Sequence, residues 1–387
     1  MGLAHPVSSK VLTRHGSKHF KIGAASMQGF RTEMEDAHTI QMAMTKHESH
    51  GFFGVYDGHN GDVCAHWSAA NLWKYIDGVE DLSEGGIQKA CLEADKEFLT
   101  NDPESARGSA GGGSGCTAVF VVADVNSADG YDLTISNIGD SRALLGRNGQ
   151  TVALTEDHKP TNAGEMKRIQ AAGGFVQAAR VDGQLALSRA MGDSQYKTNL
   201  ELPAEAQKVI PVPDVTKEKL KAGDFLLVCC DGIFESFTNE QAVKFVHEKL
   251  QTSDDLAMIM AQLLDAVLAA GSKDNMTAVL ILPVDGTAYH KDEDEFLPGV
   301  FHEHRTNSSF ADAYVADARR HGYTLDQAIA LLDKNAASGY YKPTPIQSRG
   351  GFLFPFFAAA AGGVKDDDED DQTAPPATGD GAGAGPQ

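Results

Sequence analysis

Four aspartates stand where apolar, strand-like runs begin or end, and carboxylates placed in this way could hold metal ions. Asp57, Asp140 and Asp231 each follow such a run, and Asp274 precedes one. Each of these aspartates taken alone is most often a turn residue or a cap. If the strands are neighbours, however, the four carboxylates converge, and such a cluster needs cations to offset its mutual repulsion.

The donor atoms in this pattern are oxygens, which favour the hard cations Mg²⁺ and Mn²⁺ over metals that prefer thiolate or imidazole. Cys229 and Cys230 precede Asp231 and could suggest zinc instead. Because adjacent strand residues point to opposite faces, two neighbouring cysteines in a strand are expected to be core residues. The sequence therefore predicts a magnesium or manganese site and no zinc.

A second group of charged residues lies upstream, between Arg31 and Asp36. The guanidinium of Arg31 suits bidentate binding of a phosphate, and Glu35 and Asp36 add two more carboxylates. A charged surface turn would explain this stretch equally well. From these residues alone, both interpretations remain open.

The elements that must position these residues follow from hydrophobic periodicity. Apolar runs bounded by turn residues predict strands at 51–56, 117–123, 133–138, 225–230 and 276–282. Several runs are apolar at nearly every position, which implies that both faces are covered. Helical periodicity is present at 61–77, 87–99, 162–172, 239–250 and 254–270, with a cap at Thr238. Without regular βαβ alternation, the pattern favours stacked sheets flanked by helices.

The character of the chain changes after residue 284. We expect an N-terminal arm at 1–19 and a main domain at 20–284. An appended helical hairpin at 285–340, with helices at 308–320 and 324–335, is expected to follow. The chain is then expected to continue as an acidic, Gly/Ala/Pro-rich disordered tail at 341–387. The aromatic segment 352–357 could dock onto a partner, a membrane or the domain itself, and the last is favoured. Glycines between 108 and 115 precede a strand, so a flexible loop is favoured over a phosphate-binding loop.

Charge and cysteine content exclude several classes of function. The sequence has 33 Lys and Arg against 54 Asp and Glu, a formal net charge of −21, and would repel nucleic acid at long range. The five cysteines show no disulfide or zinc spacing, which favours a reducing, intracellular compartment. No run is apolar and long enough to span a bilayer, and no secretory signal is present. We expect a cytoplasmic monomer, with nuclear or membrane-associated locations left open.

Gly2 fits the start of an N-myristoylation signal, which would attach the chain to a membrane. Pro6 stands where that signal has Ser or Thr. An unmodified N-terminus is therefore favoured.

Eight short stretches taken together resemble the PP2C-like, metal-dependent protein phosphatase (PPM) family across residues 20–284. The stretches are RTEMEDAH at 31–38, FGVYDGHNG at 53–61, SGCTA at 114–118, NIGDSRA at 137–143, DHKP at 157–160, LALSRAMGD at 185–193, LVCCDG at 227–232 and SKDNMT at 272–277. Their number and order argue against chance similarity.

The resemblance implies an α+β fold, a four-layer α/β/β/α sandwich in which helices flank two central, mainly antiparallel sheets. It also implies two Mg²⁺ or Mn²⁺ ions per catalytic domain. Asp57 would bridge them, and the other ligands would be Glu35 and the carbonyl of Gly58 for one ion, Asp231 and Asp274 for the other, and Asp36 through water.

Three further roles are implied by the same resemblance. Asp140 would join Asp231 in a weaker third metal site, where many relatives have a further aspartate at the position of Glu235 in this chain. Arg31 would bind the phosphate. Arg180 would lie in a flap, residues 173–195, that helps to select substrates.

The implied activity is hydrolysis of phosphoserine and phosphothreonine in phosphorylated proteins. A hydroxide held between two cations would attack phosphorus without a covalent phosphoenzyme. His59 would then protonate the leaving alkoxide, and the alternative for His59 is a turn histidine bonded to a carboxylate.

Two other phosphatase classes are excluded by spacing. Cysteine-dependent phosphatases need Arg six residues after the nucleophile, and none of the five cysteines has one. Haloacid-dehalogenase phosphatases need Asp-x-Asp after a strand, and here that spacing occurs only in the acidic runs near 292 and 366. The remaining alternative is a pseudophosphatase, a folded binding module that has lost turnover.

Overall fold

Strands make up most of the elements in the described chain, which comprises residues 2–101, 113–126, 130–284 and 293–342 of the computed structural model. The strands are β1 (Val7–Gly16), β2 (Phe20–Gly29), β3 (Ala37–Gln41), β4 (His50–Tyr56), β5 (Gly58–His59), β6 (Gly115–Cys116), β7 (Ala118–Asp124), β8 (Tyr131–Ile138), β9 (Arg142–Arg147), β10 (Gln150–Ala153), β11 (Val176–Gln177), β12 (Arg180–Val181), β13 (Met191–Gly192), β14 (Asp214–Leu220), β15 (Phe225–Cys229), β16 (Met276–Pro283) and β17 (Glu293–Leu297). The α-helices are α1 (Val63–Gly78), α2 (Glu84–Asn101), α3 (Ala163–Ala171), α4 (Asn239–Leu250), α5 (Leu256–Ala270), α6 (Ser308–Arg320) and α7 (Leu325–Ser338).

Two large antiparallel sheets form the centre of the molecule. The larger has seven strands in the order β10-β9-β15-β16-β2-β1-β17, and the other has five in the order β14-β8-β7-β4-β3. A three-stranded sheet, β13-β6-β5, and a two-stranded hairpin, β11-β12, complete the strand pairing.

The layers follow from which side chains share a hydrophobic cluster. One cluster lies between the two large sheets and contains Phe53, Val121 and Val228 from three different strands. A second cluster packs α4 and α5 on the outer face of the seven-stranded sheet, and a third packs α1 and α2 on the outer face of the five-stranded sheet. The predicted four-layer α/β/β/α sandwich is therefore confirmed.

The elements that the sequence predicts are all present, and each observed bound lies within three residues of the predicted one. Thr238 caps α4, because its side chain accepts a hydrogen bond from the backbone N–H of Gln241. The strands that periodicity did not indicate include β1 and β2, which carry Lys, Arg, Ser and Gly among their apolar residues.

The segments on either side of the predicted main domain contribute to its sheet. β1 pairs with both β2 and β17. Val7 and Phe296 share a hydrophobic cluster with Phe310 of α6 and Ala328 of α7. The domain boundaries at 19 and 284 stay predictions. The tail from 343 onward, with the aromatic segment 352–357, and most of the glycine-rich loop lie outside the described residues. Among the described helices, none has both the length and the apolar character to cross a membrane.

Candidate active site

The topology brings all four strand-end aspartates to one edge of the sandwich. β4 and β8 are both antiparallel to β7, so they run in the same direction and deliver Asp57 and Asp140 to the same edge. In the seven-stranded sheet, β15 is antiparallel to β16. Asp231, just after β15, therefore lies beside Asp274, just before β16. The convergence predicted from the strand ends is what the fold produces.

The mutual repulsion of these carboxylates is visible in their pKa values. Burial, followed by the charges of Asp36, Asp231, Asp140 and Asp274, raises the pKa of Asp57 well above its usual value. Burial, with the charges of Asp140 and Asp274, also raises the pKa of Asp231 to about 7. Asp231 would be partly neutral at physiological pH unless a cation offset the repulsion.

Asp36 lies at the floor of the site and is almost fully buried. Among the described residues, neither of its carboxylate oxygens has a hydrogen bond of normal geometry. Burial raises the pKa of Asp36 to about 7, and the neighbouring Thr277 and Cys230 side chains offset only part of this effect. A buried carboxylate with free oxygens is expected where a ligand completes its coordination.

Asn275 ties the Arg31–Asp36 loop to the edge of the seven-stranded sheet. Its side-chain oxygen accepts the backbone N–H of Glu35 at 2.9 Å, and its amide group donates to the carbonyls of Gln28 and Glu33. Two of these three hydrogen bonds hold the loop and the third ties Asn275 to β2, so Glu35 and Asp36 are brought to the strand-end aspartates.

Gly58 can only be glycine at its position. A Cβ there would lie 2.3 Å from the carbonyl oxygen of Glu35. The close approach brings the backbone of Gly58 next to the Glu35 loop, while the Glu35 carboxylate accepts the N–H of Gly61 at 2.6 Å. Glu35 and Gly58, two predicted metal ligands, thus adjoin each other.

Arg31 lies at the rim of the site, with its side chain half exposed. It forms an ion pair with Asp274, with 2.5 Å between Nη2 and Oδ2. Burial lowers the pKa of Arg31, but the Asp274 carboxylate outweighs this and leaves the pKa raised. Arg31 is therefore a permanent cation at the mouth of an acidic site.

Asp140 sits on the other side of the site and pairs with the ammonium of Lys159. Glu235, which occupies the position where many relatives have a third-site aspartate, accepts hydrogen bonds from the Ser272 hydroxyl at 3.2 Å and from the backbone N–H of Lys273 at 2.8 Å. Asp140 and Glu235 thus both have protein partners.

His59 follows Gly58 on the short strand β5, and its Nε2 lies 2.7 Å from Oδ2 of Asp193. Burial lowers the pKa of His59, but the Asp193 carboxylate more than compensates and raises it to about 8. The imidazole is therefore protonated at neutral pH, as a proton donor needs to be.

Arg180 lies apart from the aspartates, on the β11-β12 hairpin within the predicted flap. Its guanidinium is exposed and donates to the carbonyl of Gln184 at 2.6 Å. The hairpin packs over a small cluster of its own, which includes Val181 and Tyr196. The structure does not bring Arg180 into contact with the carboxylates.

The donor set fits hard divalent cations. Asp36, Asp57 and Cys230 place one potential ligand atom each within 4.8 Å of one another. The Cys230 sulfur accepts the backbone N–H of Thr277 at 3.1 Å, and burial raises the pKa of the thiol well above its usual value. Cys229 points into the helix-side cluster and Cys230 into the inter-sheet cluster, as strand alternation predicted. Oxygen ligands therefore remain, which suits Mg²⁺ or Mn²⁺.

Sequence reasoning assigned no role to three residues that shape the site, namely Lys159, Asp193 and Asn275. Each lies inside a stretch that carried the family resemblance: DHKP, LALSRAMGD or SKDNMT. The resemblance of these three stretches to the family was the signal in the sequence that could have identified these residues. Their partners Asp140, His59 and Glu35 lie 19, 134 and 240 residues away in sequence, so periodicity within one element could not identify them.

Comparison with known proteins supports the resemblance. A family model described as Protein phosphatase 2C matches residues 20–276. A probable protein phosphatase 2C of Caenorhabditis elegans is 38% identical over 290 residues, covering 72% of this chain and 79% of that protein. Human protein phosphatase 1B is 38% identical over 286 residues, covering 69% of this chain and 58% of the human protein.

The fold agrees with these relatives. A crystal structure of a phosphatase from a pathogenic strain of Toxoplasma gondii superposes with a TM-score of 0.67 and 27% identity, covering 74% of this chain and 99% of that one. Metal dependence is general among protein phosphatases 2C. The family match, the sequence identities and the shared fold together show that this chain belongs to the protein phosphatase 2C family and is a protein-serine/threonine phosphatase.

Proposed function

We propose that the chain hydrolyses phosphoserine and phosphothreonine in proteins with two divalent cations held by the aspartates at the strand ends. The observation that carries this proposal is the convergence of buried carboxylates at one edge of the sandwich, where their charges raise one another's pKa. Within the described residues, Asp36, Asp57 and Asp231 have no ion pair with Lys or Arg. A buried cluster of this kind is stable in its charged form only with cations.

The ligand assignment rests on the family resemblance and on which residues adjoin in the fold. Asp57 would bridge the two cations, and the remaining ligands would be Glu35 and the Gly58 carbonyl on one side and Asp231 and Asp274 on the other. Asp36 would bind through water, which its two unbonded oxygens support. When bound, Mg²⁺ or Mn²⁺ supplies an activated water near neutral pH and neutralises charge on the phosphoryl group.

Arg31 would orient the phosphate of the substrate. It is a half-exposed cation at the mouth of the site, and its planar guanidinium matches two phosphate oxygens. Its present partner is Asp274, one of the proposed ligands.

His59 would donate a proton to the serine or threonine oxygen that leaves. Part of its side chain is exposed at the site, and the Asp193 carboxylate supports its protonated form. An alkoxide is a strongly basic leaving group, so a proton supplied in the transition state lowers the barrier.

A third cation would have to compete with a protein group. It would need Asp140, whose carboxylate pairs with the Lys159 ammonium. Glu235, which stands in place of the further aspartate of many relatives, is bonded to Ser272 and Lys273. We therefore propose two cations per domain, with a third only at high metal concentration.

Arg180 would act on the protein part of the substrate rather than on the phosphate. It is exposed on the β11-β12 hairpin and lies apart from the carboxylates. A cation there suits acidic residues near the phosphorylated position.

The experiment that tests the function measures phosphate release from a phosphothreonine peptide by the full chain. Activity should be absent in EDTA, restored by Mn²⁺ or Mg²⁺, and not restored by Ca²⁺, whose looser coordination holds the reacting water poorly. Full activity in excess chelator would contradict the metal mechanism. Saturable phosphopeptide binding without turnover in Mn²⁺ would instead identify a pseudophosphatase.

The role of His59 is tested by varying the leaving group. His59→Gln should lower kcat on the phosphopeptide by ~10² to 10⁴-fold and slow p-nitrophenyl phosphate far less, because nitrophenolate leaves as a stable anion. Mn²⁺ affinity measured by calorimetry serves as the control and should stay unchanged. Equal losses on the two substrates would mean that His59 donates no proton.

A further inference from the structure

Asp193 is a fully buried aspartate with one partner of catalytic interest. Its Oδ2 lies 2.7 Å from Nε2 of His59, while its Oδ1 has no hydrogen-bond partner among the described residues. No part of Asp193 is exposed to solvent. The carboxylate is therefore dedicated to the imidazole and is not a surface charge that happens to lie nearby.

The backbone around Asp193 is built to make this contact. Asp193 has a φ of 54°, in the left-handed region that few residues other than Gly, Asn and Asp adopt. It follows β13, which pairs with β6, and β6 pairs with the strand that carries His59. A Cβ on Gly115 of β6 would lie 2.4 Å from the Asp193 carboxylate and 2.5 Å from Nε2 of His59, so the pair packs directly over a glycine.

A buried ion pair holds this turn from behind. Asp95, on α2, accepts the backbone N–H of Gly192 at 2.7 Å and the ammonium of Lys197 at 2.8 Å. Both side chains are almost fully buried, and Lys197 also donates to the carbonyl of Ala190 at 3.0 Å. The residues before and after Asp193 are thus clamped to one helix.

We propose that Asp193 is the positioning residue for His59, and that the Asp95–Lys197 pair fixes Asp193 in place. This inference rests on the proposed role of His59 as proton donor. A carboxylate at one ring nitrogen sets the orientation and proton distribution of an imidazole. Because Asp193 occupies Nε2, the proton would be donated to the leaving oxygen from Nδ1.

The proposal separates two functions within the site. The strand-end aspartates are the proposed cation ligands, and no hydrogen bond or ion pair joins them to the Asp193 side chain in the described structure. Asp193 should therefore affect the step that needs a proton and leave metal binding unchanged. A merely structural aspartate would affect both substrates and both properties alike.

The test compares Asp193→Asn with Asp224→Asn in the full chain, and both variants are assayed with Mn²⁺ on the phosphopeptide and on p-nitrophenyl phosphate. Asn tolerates the left-handed conformation and keeps the shape of the side chain while removing its charge. Asp224 is the matched control, because it is also a buried aspartate in an ion pair, with Arg147, away from the site.

We expect Asp193→Asn to lower kcat on the phosphopeptide by ~10 to 10²-fold and on the nitrophenyl ester by less than ~3-fold. Asp224→Asn should change neither by more than ~2-fold. The double variant His59→Gln/Asp193→Asn should lose no more than His59→Gln alone, because the two residues act as one unit. Mn²⁺ affinity should be unchanged throughout.

Equal losses on the two substrates for Asp193→Asn, additive losses in the double variant, or a ~10-fold fall in Mn²⁺ affinity would each overturn the proposal. If His59→Gln is selective for the phosphopeptide and Asp193→Asn is not, the positioning role alone fails. If His59→Gln is itself not selective, the proposed role of His59 fails together with it.

Discussion

Two clusters of buried charge in this protein are arranged in opposite ways. The strand-end cluster comprises Asp36, Asp57, Asp140, Asp231 and Asp274. Among the described residues its basic partners are Arg31 and Lys159, which lie at its rim and reach Asp274 and Asp140. The paired cluster lies on β1, α5 and β17, where Lys10 and Arg14 are buried against the carboxylates of Asp265, Asp255 and Glu295.

The paired cluster satisfies its own charges. The Lys10 ammonium lies 2.6 Å from Asp265 and 2.7 Å from the Tyr341 hydroxyl, and that hydroxyl donates to Asp265 at 2.5 Å. Arg14 bonds both oxygens of Asp255 and one of Glu295. Such a network ties the C-terminal segment to the sheet and needs no ligand.

The difference indicates what each cluster is for. Buried carboxylates that lack partners cost free energy in the folded protein, and the cost is recovered only when a cation binds. Buried carboxylates that have partners contribute to a single, well-defined fold. The same residue type, aspartate, therefore has opposite effects on stability at the two places.

The largest expected effect is on catalytic activity, which a substitution in the strand-end cluster should lower and the matched substitution in the paired cluster should not. Asp57→Asn should lower kcat by at least ~10³-fold, because both proposed cations share this carboxylate. Asp265→Asn, the matched change in the paired cluster, should change kcat by less than ~3-fold when the folded protein is assayed below its melting temperature. A loss under ~10-fold for Asp57→Asn would mean that Asp57 is only a turn residue.

The same two variants should have opposite effects on stability in EDTA. Asp265→Asn leaves the Lys10 ammonium buried without its counter-charge and should cost ~3 kcal/mol or more. Asp57→Asn removes one of the repelling charges and should stabilise the metal-free protein by ~1 kcal/mol. Urea unfolding followed by circular dichroism gives both values. Destabilisation of the metal-free protein by Asp57→Asn would contradict the comparison.

The pH dependence of stability sharpens the contrast. The folded pKa values of Asp36 and Asp231, about 7, lie above the ordinary value of 3.8, so the folded state binds more protons between these limits. Metal-free stability from this source is therefore highest below about pH 4 and falls as pH rises to about 7. Mn²⁺ should reverse the trend, because it binds the ionised groups.

Unfolding free energies measured in EDTA between pH 5 and 7.5 test this expectation. Asp231→Asn should flatten the decline, since it removes one of the titrating groups. Asp265→Asn should lower stability at every pH and leave the slope as it is. A slope that is the same in Asp231→Asn as in the unsubstituted chain would show that other groups cause the decline.

Local sequence patterns were sufficient for the parts of the molecule that depend on neighbours in the chain. The buried strands, the helices and the strand-end aspartates are each recognisable within about ten residues. The pair of His59 with Asp193 spans 134 residues, and the bond from Glu35 to Asn275 spans 240. No periodicity encodes such pairings, and they become visible only when the sheets are assembled.

The paired cluster also explains why the sequence did not predict strand β1. β1 contains Lys10 and Arg14, which are polar residues at positions that the fold buries. A rule that associates burial with apolar residues does not recognise such a strand. Their partners on α5 and β17 lie more than 240 residues away, so the compensation for the buried charge was not apparent.

The smallest expected effect concerns two adjacent tyrosines of the paired cluster. Tyr341 is buried and its hydroxyl donates to Asp265, whereas Tyr340 is exposed and its hydroxyl bonds Glu295 at 2.8 Å. Tyr341→Phe should cost ~1 to 3 kcal/mol, because it leaves a buried carboxylate with one donor fewer. Tyr340→Phe should cost less than ~1 kcal/mol, because water can replace an exposed hydroxyl.

Both stability changes are measured by urea unfolding in Mn²⁺. Phosphopeptide turnover is the control, and neither variant should change it by more than ~2-fold. Equal costs for the two changes would mean that burial does not set the strength of this cluster, and the contrast with the strand-end cluster would then rest on charge pairing alone.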